Sequence, residues 1–112
     1  MFDAEHIVGS SSTMIPLFAS AFQTAKSLGL TVAITVSHSA PYITDTPADG
    51  TAFVTAWAAD TNIDIISPQV YSSGTESSPD FAETNNCKAA GCLWTLYQNS
   101  KPKFVPSIVE AS

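Results

Sequence analysis

The sequence predicts an α/β fold built on a parallel sheet, and three observations predict it. Short β-branched segments alternate with segments whose apolar residues recur at helical spacing, in the order β-α-β-α-β-α-β. Gly, Ser and Pro, the turn formers, fall between them. One strand segment, Ile63 to Tyr71, is mostly apolar, which fits a parallel strand buried on both faces. With 112 residues, 45% of them apolar, the chain is long enough for one core and reads as a single unit over residues 1–112.

Phe2 to Val8 reads as the first strand, and Gly9 with the serines and threonine that follow reads as the turn after it. Ser12 or Thr13 is the expected cap of a helix whose first turn tolerates Pro16. Met14, Phe18, Phe22 and Ala25 then recur at helical spacing until Gly29 stops the helix. Leu30 to Ser37 is β-branched and alternating, a second strand. Pro41, Pro47 and Gly50 mark a loop, and Ala52 to Ala59 a short helix around Phe53, Val54 and Trp57. After the strand Ile63 to Tyr71 comes a polar loop, Ser72 to Asn86, and then a helix over Ala89 to Asn99. Lys103 to Val109 is the fourth strand, where Pro106 argues for an edge or a bulge. Trp57 and Trp94 lie within helical patterns and read as packing residues.

Charge narrows the partners. Ten acidic and four basic side chains give a net charge of −6, and every basic residue is a lysine. Such a surface makes a poor phosphate-binding site, so neither nucleic acid nor an anionic membrane is expected as a partner. No apolar run approaches the roughly 20 residues needed to span a bilayer. Only 12% of residues are charged while Ser and Thr abound, a neutral hydroxyl-rich surface that leans towards an extracellular protein. Cys87 and Cys92 enclose Lys-Ala-Ala-Gly, with no histidine or third cysteine nearby to make a zinc site. Two readings of the pair stay open: a local disulfide, or two inert thiols. No metal or cofactor is expected and no Gly-rich phosphate loop is present, while the lack of a G-x-S-x-G elbow disfavours a Ser-His-Asp hydrolase.

In parallel α/β folds, function gathers at the C-terminal ends of the strands. Those ends carry Asp3, Glu5 and His6, then Ser37, His38 and Ser39, then Gln69 and Tyr71, and last Glu110. Strand side chains alternate, so Asp3 and Glu5 are expected on one face, as are Gln69 and Tyr71. Two neighbouring carboxylates repel when both are ionised, which favours keeping one protonated as a general acid. His38 has no acid partner in sequence and reads as a loop histidine.

Taken together, these strand ends resemble the second half of a family-18 glycoside hydrolase, the chitinase barrels, most nearly the plant-type (hevamine-like) branch. The family's fourth strand carries D-x-x-D-x-D-x-E, whose end matches Asp3-Ala4-Glu5, with Met1 at the position of the preceding aspartate. Its fifth strand and loop are similar to Thr35 to Tyr42, Thr-Val-Ser-His-Ser-Ala-Pro-Tyr. The Q-x-Y of its sixth strand matches Gln69-Val70-Tyr71, and a lysine-led apolar seventh strand matches Lys103 to Val109.

The resemblance implies a partial (β/α)8 barrel, a half-barrel of strands four to seven, since a complete one takes about 250 residues. On that reading the chain starts inside the active-site motif, lacks its true N-terminus and secretion signal, and has little activity alone. It implies hydrolysis of β-1,4-linked N-acetylglucosamine polymers by a retaining, substrate-assisted route. Glu5 would be the acid, Asp3 and Tyr71 would orient the substrate's acetamido group, and Gln69 and Ser39 would line the sugar site. Chitin or a related oligosaccharide is the implied ligand, and the open barrel face is a candidate for self-association. The rival is a non-catalytic chitinase-like lectin, which the presence of Glu5 disfavours.

Overall fold

The computed structural model describes residues 1–3, 5–37, 43–69 and 94–107. Along the chain run β1 (Phe2–Asp3), β2 (His6–Ile7), α1 (Ser11–Ser27), β3 (Ala33–Ser37), β4 (Ile43–Thr44), α2 (Pro47–Ala59), β5 (Ile65–Gln69), α3 (Trp94–Gln98) and β6 (Lys103–Phe104). Four strands form one parallel sheet in the order β1-β3-β5-β6, and β2 with β4 forms a separate parallel pair. The α/β class and the parallel sheet agree with the sequence reading. Strand order follows chain order without reversal, so each helical crossover steps to the next strand in the same direction.

The register explains why the helices share one side. Phe2 lies beside Ile34, Ile34 beside Ile66, and Ile66 beside Phe104, so these four residues form a row on one sheet face. Phe18 of α1 meets the Phe2 ring at 5.3 Å, and Tyr97 of α3 meets the Phe104 ring at 5.2 Å. Between them α2 packs against both neighbours. Phe53 and Trp57 of α2 stack at 5.5 Å, and Phe18 meets each of them edge-on. Phe53, Ile34 and Ile66 are fully buried, and Trp57 is 2% exposed. Trp57 is therefore the packing residue the pattern predicted; the Trp94 side chain and residues 89–93 of its expected helix lie outside the described residues.

Several boundaries differ from the sequence reading. The first strand is not continuous over Phe2 to Val8: β1 stops at Asp3, the chain bends at Glu5, and β2 pairs with a different strand. α1 begins at Ser11 behind Ser10, not after Ser12 or Thr13, and Pro16 sits inside it. α2 begins five residues before the expected Ala52. Thr46 accepts the Asp49 N–H at 3.2 Å, Pro47 occupies the first turn, and the helix runs on through buried Gly50. Thr-Pro-Ala-Asp carries that start signal, which overrides the tendency of proline and glycine to mark a loop. Of the expected Lys103 to Val109 strand, β6 covers Lys103–Phe104, an isolated bridge joins Ser107 to Gln69, and Ile108 and Val109 lie outside the described residues. Gly9 has φ +112°, a conformation that favours glycine, in the turn between β2 and α1.

Candidate functional site: a polar row across the parallel strands

The sheet face away from the helices is polar. Asp3 lies beside Thr35 and Thr35 beside Ser67, one step along each strand from the apolar row. Because side chains alternate, this second row points to the opposite face. Two residues beyond Ser67, on the same face, comes Gln69, bridged to Ser107. Sequence dictates this division locally: Ala-Ile-Thr-Val-Ser and Ile-Ile-Ser-Pro-Gln place hydroxyls or an amide at every second position beyond the first.

The row is hydrogen-bonded across three strands. Thr35 Oγ1 donates to Asp3 Oδ1 at 2.5 Å. Gln69 Nε2 reaches the same oxygen at 3.4 Å, spanning β3 from a residue 66 positions away in sequence. The hydroxyls of Ser67 and Ser107 meet at 2.5 Å, linking β5 to the chain beyond β6. Thr35, Ser67 and Gln69 are buried, and buried polar groups require such partners. Asp3 itself remains exposed, so two protein donors fix one carboxylate oxygen while the group stays open to solvent. That combination suits a carboxylate that must meet a polar ligand in one orientation.

Of the predicted site residues, the structure brings Asp3 and Gln69 together. Glu5 is exposed at the bend between β1 and β2 and makes no hydrogen bond among the described residues, so strand alternation does not carry from Asp3 to Glu5. Tyr71, Ser39 and His38 lie outside the described residues, as do Cys87 and Cys92. Thr35, Ser67 and Ser107 had no assigned role in the sequence reading. Their signal was a hydroxyl at alternate positions of otherwise apolar strands, visible in sequence but without meaning until the register aligns them.

Two other polar arrangements serve the scaffold. Asp45 accepts the Gly9 N–H at 2.8 Å and Asp49 accepts the Ser11 N–H at 2.7 Å, tying the turn before α1 to the start of α2. The Ser11 N–H, with the Thr46 hydroxyl behind it, holds the Asp49 carboxyl below the usual carboxylate value. At the opposite end of the sheet, Asp64 accepts from Lys26 Nζ at 2.6 Å and from the Val32 N–H at 2.7 Å. A groove of about 340 Å³ lies between α1 and α2, beside Ala19, Ala56, Trp57 and Asn62, on the helical side rather than at the polar row. Among the described residues, no three His, Cys, Asp or Glu side chains come together as metal ligands, and no helix is long and apolar enough to cross a membrane.

Comparison with protein-family models, with curated proteins and with solved structures finds no match to this chain.

Proposed function

We propose that the chain is the segment of a chitinase-like glycoside hydrolase that carries the acid and the acetamido-binding groups, arranged as strands four to seven of a (β/α)8 barrel. The observation that carries this reading is Asp3, the last residue of β1, held by Thr35 in the middle of β3 and by Gln69 at the C-terminal end of β5. A parallel sheet whose strand order follows chain order, with its helices on one face, supports this reading without closing a barrel. Barrel chemistry sits at the C-terminal ends of the strands.

On this reading Glu5 gives its proton to the glycosidic oxygen as the bond to the anomeric carbon breaks. The carbonyl oxygen of the substrate's own acetamido group attacks that carbon, forming an oxazolinium ion. Asp3, oriented by Thr35 and Gln69, accepts the acetamido N–H and balances the developing positive charge. Tyr71 donates to the acetamido oxygen, and Ser39 contacts the sugar. Water then opens the ring with Glu5 as base, so the configuration is retained.

The test uses N-acetylated chitooligosaccharides, with binding followed by calorimetry and cleavage by product analysis. The expected outcome is binding by the chain, slow release of products of retained configuration, and loss of cleavage with intact binding in Glu5→Gln. Cleavage undiminished in Glu5→Gln removes the assigned acid. A chitinase-like lectin is the second reading, favoured by the placement of Glu5 outside the ladder that holds Asp3. Tight binding with no cleavage at any pH selects it.

A further inference from the structure

Proline is rare inside a sheet because it cannot donate to the ladder, yet Pro68 stands in β5, a strand flanked by β3 on one side and β6 on the other. It is fully buried, and alternation puts it on the apolar face with Ile66. The register shows which bond is lost. The carbonyls of Asp64, Ile66 and Pro68 accept from the N–H groups of Lys103, Val105 and Ser107 at 2.8, 3.0 and 2.9 Å, so the even-numbered residues of this stretch face β6. In a parallel pair such residues also give their N–H to the same neighbour, and at position 68 the acceptor would be the Val105 carbonyl. Proline has no N–H to give it. Pro68 therefore contributes its carbonyl alone to this end of the β5–β6 ladder, one residue before Gln69.

Two hydroxyls stand at that gap. Ser67 is buried and Ser107 half-buried on the polar face, and their oxygens lie 2.5 Å apart. Ser107 is also bridged to Gln69, so the pair ties the residue opposite Gln69 back to the residue before Pro68. The position of Gln69 matters because its Nε2 reaches Asp3 Oδ1 at 3.4 Å. That length is near the outer limit of a hydrogen bond, where a drift of a few tenths of an ångström decides whether the bond is made.

We propose that the Ser67–Ser107 hydroxyl pair replaces the ladder bond that Pro68 cannot make, and so positions Gln69 and, through it, the Asp3 carboxylate for a ligand. Ser67 and Ser107 are positioning residues, acting through Gln69. The chemistry of the ligand rests on the hydrolase reading; the latch itself does not.

The test compares the full chain as wild type, Ser67→Ala, Ser107→Ala, the double alanine variant and Ser107→Thr. Three quantities are read: the urea midpoint, the side-chain amide resonance of Gln69 by NMR, and the calorimetric affinity for N-acetylated chitotriose. Ser107→Ala is expected to shift the Gln69 resonance while the Ile34 and Ile66 methyl resonances stay in place, and to weaken chitotriose binding about tenfold. Ser67→Ala should match it, and the double variant should be no worse than either single change, because all three break one bond. Ser107→Thr keeps the hydroxyl and should restore both readings. Pro68→Val combined with Ser107→Ala returns the ladder N–H and should recover the Gln69 resonance, a rescue that keeps the test decisive if Ser107→Ala alone does not fold. A Gln69 resonance unmoved in Ser107→Ala, with or without a lower urea midpoint, overturns the proposal. So do additive losses in the double variant, or no recovery with Ser107→Thr. Absence of chitotriose binding by wild type sinks the hydrolase reading instead, and the Gln69 resonances still decide the latch.

Discussion

The two faces of the central sheet are built from neighbouring residues of the same strands, yet they do opposite work. On one face Phe2, Ile34, Ile66 and Phe104 meet the aromatic residues of the helices, and Ile34 and Ile66 lose all exposure. On the other, Asp3, Thr35, Ser67 and Gln69 form a hydrogen-bonded row in which Asp3 stays exposed. Stability is concentrated in the first face, where apolar area leaves water at about 25 cal/mol per Å². Orientation is concentrated in the second, where each hydrogen bond adds only about 1 kcal/mol to folding. A single residue step along β3 or β5 crosses from one regime to the other.

Emptying the helical face should have the largest effect. Trp57→Ala is expected to cost about 3–5 kcal/mol, a large share of the roughly 5–15 kcal/mol that a domain has, and to collapse the urea midpoint. Trp57→Phe separates packing from polarity. The indole Nε1 is buried with no hydrogen-bond partner among the described residues, so its removal should cost less than about 1.5 kcal/mol. A Phe variant as unstable as the Ala variant would mean that a bond to Nε1 matters after all.

On the polar face, Thr35→Val keeps the shape and removes the donor to Asp3. Its expected cost in stability is about 1 kcal/mol; on the proposed hydrolase reading, affinity for chitooligosaccharides should fall as well, because Asp3 loses its orientation. A loss of stability as large as that of Trp57→Ala would erase the contrast between the faces.

The end of the sheet remote from the polar row offers a pH test. Lys26, and after it the Val32 N–H, holds the Asp64 carboxyl below its ordinary value in the folded chain. Folded pKa below unfolded means that the contribution is present at neutral pH and is lost as pH falls through the usual carboxylate range towards the folded value. Asp64→Asn should therefore flatten the acid limb of stability measured by thermal unfolding from pH 7 downwards. An unchanged acid limb would show that the pair contributes nothing measurable in solvent. Smallest of all, Leu28→Ser at a position 72% exposed should move stability by less than about 0.5 kcal/mol.

Much of the scaffold was legible because its signals are local. The α1 stripe Met14, Phe18, Phe22 and Ala25 and the alternation in β3 each repeat within a few residues, and both elements stand where those patterns put them. Boundaries were less legible where one residue serves two purposes. Pro47 and Gly50 break most helices, but behind the Thr46 cap the first opens α2 and the second lies within it. The bend at Glu5 left no mark in the alternation of Phe2 to Val8, because it arises where β1 and β2 pair with different strands.

By itself the sequence determined the order of the helices and of the four strands of the main sheet, their parallel arrangement and the aromatic core, since these follow from the spacing of apolar residues and from the length of the crossovers; the β2–β4 pair it did not show. It also placed Asp3 and Gln69 among the candidates as residues at strand ends. Only the tertiary structure decided that they meet across β3, that Thr35 holds the same carboxylate oxygen, and that Ser67 joins Ser107. The physical reason is register. Which residue lies beside which across a parallel sheet is fixed by how the crossover helices seat on its apolar face, an interaction among residues far apart in the chain that no local pattern encodes.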